Sequence, residues 1–82
     1  MNQEKCLKVY ARWDDDAKVY YAWSEDVLGL AIEASTLEHL KNRLRIVVPE
    51  LIALNDHTPY DDHQEVPLCL LTEDSFMAQR QA

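Results

Sequence analysis

One glycine and three prolines in 82 residues leave little room for linkers, repeats or low-complexity tracts. Basic residues are also scarce, with 8 Lys and Arg against 15 Asp and Glu, for a formal charge of −7. That balance is the reverse of what phosphate neutralisation on nucleic acid requires. Apolar runs are short, and none approaches the ~20 residues needed to span a bilayer. No apolar signal segment follows Met1, so the sequence is read as that of a cytoplasmic protein. The two cysteines, Cys6 and Cys69, are then expected as reduced core residues, because disulfides seldom persist in that compartment.

What is present is an apolar fraction of 48%, enough for one folded domain. Its core is expected over about 5–72, followed by a polar tail over 73–82. Leu7, Val9, Ala11 and Trp13 alternate with Lys8, Tyr10 and Arg12, the period of a strand with one buried face. Asp14-Asp15-Asp16-Ala17 breaks the pattern with turn-forming residues. Alternation resumes at Val19, Tyr21 and Trp23. A five-residue loop from Asp14 to Lys18 pairs Trp13 with Val19, Ala11 with Tyr21 and Val9 with Trp23. That register makes one face wholly apolar and is the one expected. It places Lys8, Tyr10, Arg12 and Tyr20 together on the opposite face.

Gly29, the sole glycine, follows Val27-Leu28 and is free to take a positive φ. A third strand over Leu30 to Ala34 leads into the capping-box pattern of Ser35 and Glu38. Beyond it the apolar residues recur every three or four positions: Leu37, Leu40, Leu44, Val47, Val48, Leu51 and Leu54. This is a core-facing helical stripe. Pro49 lacks the N–H that would bond the Arg45 carbonyl, so a kink is expected there, with Asn55 as a left-handed terminator. Ile46 lies off the stripe, either exposed or brought in by rotation at the kink. Val66 to Thr72 reads as a last, edge strand, with Pro67 removing one donor at its start. The fold class is a two-layer α+β domain in the order β-β-β-α-β: a three-stranded antiparallel meander, one long kinked helix on one sheet face, and a final strand.

Several polar groups invite a chemical reading. Asp14, Asp15 and Asp16 are consecutive in a loop, so their side chains diverge and do not form a two-metal carboxylate site. They suit a solvated turn or a basic partner. His57 to His63 holds two histidines and two carboxylates, but matches no standard zinc spacing. His39 has no nucleophile or carboxylate arranged with it. No catalytic, metal or cofactor site is therefore assigned. Tyr10, Tyr20 and Arg12 combine large contact area with hydrogen bonding, a composition common at interfaces. With Asp14, Asp15 and Asp16 they form the candidate partner-binding set.

The order of these segments resembles the N-terminal domain of HicB-type antitoxins. The likeness rests on the hairpin Val9 to Asp14 and Val19 to Ser24, then Val27-Leu28-Gly29-Leu30, then Ser35-Thr36-Leu37-Glu38-His39-Leu40. Trp13-Asp14, Glu33-Ala34-Ser35-Thr36-Leu37 and Pro49-Glu50-Leu51 resemble a compact branch of that superfamily, and the likeness covers about Leu7 to Asn55. It implies a partial RNase H-like fold and a non-catalytic protein that neutralises a small basic, RNA-cleaving HicA-type toxin. Many such antitoxins continue into a DNA-binding domain. Here the sequence ends at Ala82, so autoregulation through such a domain is not expected, and the acidic balance leaves no direct nucleic-acid contact expected. The alternative is a stand-alone regulatory or ligand-binding module of the same fold. A homodimer is also expected, through the open sheet face or through Leu68 and Leu70 on the last strand, because exposed strand edges invite pairing.

Overall fold

The computed structural model describes residues 6–55 and 65–80. The His57 to His63 loop lies outside them. Within them the chain forms β1 (Leu7–Asp14), β2 (Val19–Trp23), β3 (Ala31–Ala34), α1 (Leu37–Asn55) and β4 (Leu68–Glu73). The sheet order is β3-β2-β1-β4. Strands β1, β2 and β3 form the antiparallel meander, while β4 runs parallel to β1 on its other side. This is the β-β-β-α-β, two-layer α+β arrangement read from the sequence. The last strand is an edge strand, as expected.

The register of the first hairpin differs from the expectation by one residue. Trp13 pairs with Tyr20, Ala11 with Ala22 and Tyr10 with Trp23. The loop therefore holds four residues, Asp15 to Lys18. Its geometry comes from Asp14, whose Oδ1 accepts from the N–H of Asp16 at 3.1 Å and of Ala17 at 3.3 Å. The Lys18 N–H closes the turn on the Asp14 carbonyl at 2.7 Å, with Lys18 at φ 61°. An aspartate that satisfies two backbone donors nucleates this turn in place of the longer one.

The one-residue shift exchanges the faces of β2. Ala22 now faces the helix with Val9, Ala11, Ile32 and Ala34, all buried. Small side chains at Ala11, Ala22 and Ala34 let α1 approach the sheet. Leu40, Leu44 and Val48 fill the gap from the helix side. Tyr20 packs against this core rather than on the open face, and its ring meets Trp13 at 4.8 Å between centroids. The expected open-face position of Tyr20 is thus corrected.

The helix starts one residue later than the Ser35 capping box implies. Thr36 is the cap: its Oγ1 accepts from His39 N–H at 3.1 Å, and its carbonyl accepts from Leu40 N–H at 3.0 Å. Helix α1 continues through Pro49 as one element. Its buried stripe passes from Val48 to Leu51 and Ile52, and Leu54 is left 77% exposed. A straight stripe at 3.6 residues per turn reaches Asn55 next, not Leu54. Asn55 is the last helical residue and takes no left-handed φ; its Nδ2 donates to the Leu28 carbonyl at 3.3 Å. Ile46 is exposed. Gly29 does adopt a positive φ, 86°, with Leu51 Cδ2 3.6 Å from where a Cβ would sit.

The cysteines are a further correction. Cys6 and Cys69 form a disulfide with Cα atoms 6.0 Å apart. Cys69 pairs in register with Lys8, so the bond runs diagonally from β4 to the residue just before β1. The parallel placement of β4 brings together two residues separated by 63 positions.

Candidate functional site

The helix covers one face of the sheet. Alternation places Lys8, Tyr10 and Arg12 of β1, Tyr21 and Trp23 of β2, Glu33 of β3, and Leu71 and Glu73 of β4 on the other. Three of these residues form a continuous aromatic strip. Tyr10 and Trp23 stack with centroids 5.6 Å apart and planes inclined by 27°. Tyr21 stacks on the same indole at 5.3 Å and 27°. Tyr10 and Trp23 are directly paired, so their rings meet across the strands, while Tyr21 reaches Trp23 along β2. All three are half-buried, each presenting part of a ring to solvent.

Arg12 completes the platform. Its guanidinium carbon lies 5.9 Å from the Trp23 ring centroid, within cation–π range. Its Nε and Nη2 both donate to Glu73 Oε1, at 3.0 and 2.8 Å. That carboxylate, with a smaller contribution from Tyr21, holds the Arg12 pKa above its ordinary value. The platform thus offers flat aromatic area, a cation and a carboxylate, suited to stacking on another protein's side chains and pairing with its charges. A groove of about 500 Å³ borders it, lined in part by Tyr21, Trp23, Glu33 and Arg43.

Of the partner-binding set read from the sequence, the structure brings Tyr10 and Arg12 together on this face. Asp14, Asp15 and Asp16 lie at the hairpin end, outside the platform. Asp15 Oδ1 accepts from Lys18 Nζ at 3.1 Å and Trp13 Nε1 at 3.3 Å, and these contacts lower its pKa. Asp14 supports the turn, and Asp16 is exposed. Tyr20 is on the helix side. Leu68 and Leu70 are also on the helix side, partly buried at the outer edge of the core.

Sequence reasoning missed Tyr21, Trp23 and Glu73 as platform residues. The first two follow from the register, and the signal was Ala22, the one β2 side chain small enough to sit beneath the helix. Glu73 required knowing that β4 runs parallel to β1, which sets it beside Arg12. Among the described residues, no group of three His, Cys, Asp or Glu converges as a metal site. None of the described helices is long and apolar enough to cross a membrane.

The family model described as Domain of unknown function (DUF1902) matches residues 6–82. The chain is also similar to a hypothetical protein from the extremely thermophilic bacterium Thermus thermophilus, known from a crystal structure. The two share 41% identity and a TM-score of 0.66, over 93% of this chain and 100% of that one. No curated protein matches the chain. Neither description carries an activity.

Proposed function

We infer a binding role for this chain, which belongs to the DUF1902 family: it is a non-catalytic, HicB-like antitoxin-type protein that neutralises a small basic HicA-like ribonuclease. The observation that carries the reading is the uncovered sheet face, where Tyr10, Tyr21, Trp23 and Arg12 form one platform beside Glu73. Rings and arginine of this kind are the usual anchors of protein interfaces. The net charge of −7 supplies the long-range attraction that speeds encounter with a basic partner. The likeness of the strand, turn and helix motifs to HicB-type antitoxins supports the same assignment. Inhibition then works by covering the toxin's RNA surface, with carboxylates such as Asp16 and Glu33 standing in for phosphates.

The test is co-expression with a short basic reading frame adjacent to the gene. The expected result is relief of growth arrest and a complex that co-purifies. Trp23→Glu should abolish that complex while leaving the circular dichroism of the free protein unchanged. A neighbour that neither binds nor arrests growth in its absence would remove the antitoxin reading. The groove beside Tyr21, Trp23 and Arg43 favours a second reading, a stand-alone ligand-binding or regulatory module. A thermal shift with small planar or charged ligands, abolished by Trp23→Glu, would support it.

A further inference from the structure

The two edges of the sheet are unlike. At the β3 edge, a strand of four residues, Arg43 Nη1 donates to the Glu33 carbonyl at 2.6 Å and occupies a backbone acceptor. The β4 edge carries no such guard among the described contacts. The Leu7 N–H donates to the Pro67 carbonyl at 3.0 Å, so the odd-numbered residues of this strand turn their peptide groups toward β1. Leu68, Leu70 and Thr72 then turn theirs to the free side. Pro67 therefore does not thin the donors along the open edge, contrary to the expectation from sequence.

Beyond Glu73 the chain carries no regular structure and is exposed through Arg80. Phe76 is 85% exposed and Met77 92%, the most exposed large apolar side chains among the described residues. Behind the open edge, between β4 and α1, lies a groove of about 280 Å³ lined by Leu44, Leu68, Leu70, Val66, Lys41 and Arg45. It is apolar at its floor and cationic at its helical rim. The arm is complementary to it, with Asp74 two residues before Phe76.

We propose that the occupant of this groove is the arm of a second copy, so that two chains pair antiparallel along β4 and exchange residues 74–80. Register parity selects the contact. Residues paired across a sheet share a face, and the even-numbered residues of β4 face the helix. An arm that continues β4 carries Phe76 and Asp74 on that same side. Setting Phe76 against the partner's Leu68 places Asp74 against the partner's Leu70 and Thr72 on the two-fold axis. Phe76 then enters the groove, and Asp74 lies near its Lys41 and Arg45 rim. The outward peptide groups of Leu68, Leu70 and Thr72 gain partners in the same register. One symmetric contact thus covers an open edge and the exposed Phe76 together.

Light scattering on the full oxidised chain across a concentration series tests this. The parent should give twice the 9.5 kDa chain mass, whereas Phe76→Glu and the double variant Lys41→Glu, Arg45→Glu should each give the mass of one chain. All three altered residues are exposed, so circular dichroism should show an unchanged fold. Mixing the two variants should restore a dimer, because the mixed pair keeps one intact arm-in-groove contact. A parent monomeric throughout, with arm amides protected from exchange, would mean that each arm folds back on its own edge and would overturn the proposal. So would a Phe76→Glu variant that remains dimeric, or variants that fail to recover on mixing.

Discussion

Arg12 and Glu73 are register partners on adjacent parallel strands, and both nitrogens of the Arg12 contact share a single carboxylate oxygen. The side chains are 51% and 68% exposed, so solvent screens the pair. Glu73→Gln should therefore leave the denaturation midpoint nearly unchanged, as loss of an exposed pair does. Its effect should fall on binding: freed from Glu73, Arg12 repels a basic partner without compensation. Chemical denaturation and partner titration of the variant would separate the two.

Reduction of the Cys6–Cys69 bond should have a much larger effect on stability. The bond closes a segment of 63 residues in the unfolded chain. Chain-entropy reasoning assigns a loop of that length roughly 4 kcal/mol. Reductant should lower the denaturation midpoint of the parent, and Cys6→Ser should match the reduced parent and no longer respond to reductant.

The helix start offers a paired comparison. Thr36→Ala removes the hydroxyl that accepts from His39 N–H and should cost about 1 kcal/mol. Ser35→Ala, one residue earlier, should stay within about 0.5 kcal/mol as an exposed substitution. Urea denaturation of both resolves which residue caps α1.

Asp15 gives the hairpin a weak acid dependence. Lys18, first, and then Trp13 hold its pKa below the ordinary 3.8. A lowered folded-state value means the contact stabilises above 3.8 and is lost as pH falls through the lower value. In a carboxyl NMR titration, Asp15 should titrate below an ordinary aspartate. Lys18→Met should move it upward.

The element order was legible because the apolar period changes from two to three or four at residues 33–39. The faces of β2 were not. Val19, Tyr21 and Trp23 alternate as convincingly as Tyr20 and Ala22, so both phases present apolar surface and pattern alone does not choose. The choice is made by volume under the helix, where Ala22 fits, and by the Asp14 turn that shortens the loop. Ser35 and Thr36 are equally good caps by type, and only the strand exit from Ala34 decides between them. The disulfide was hidden because compartment reasoning takes no account of where β4 lies. Tyr10 and Arg12 were identified for the platform from strand alternation. Tyr21, Trp23 and Glu73 depended on register and on the direction of β4.

The parallel seat of β4 has a consequence during synthesis. Strand β1 emerges first, yet its outer neighbour is encoded far downstream, with Cys69 lying 63 residues after Cys6. At ordinary translation rates, that separation keeps one side of β1 unpaired for on the order of 3–12 s. The meander and α1 can fold in that interval, but the nascent sheet has an extra open edge at Leu7 to Asp14. Charged residues flank and punctuate that strand at Lys8, Arg12 and Asp14, where they disfavour pairing with neighbouring chains on the same polysome.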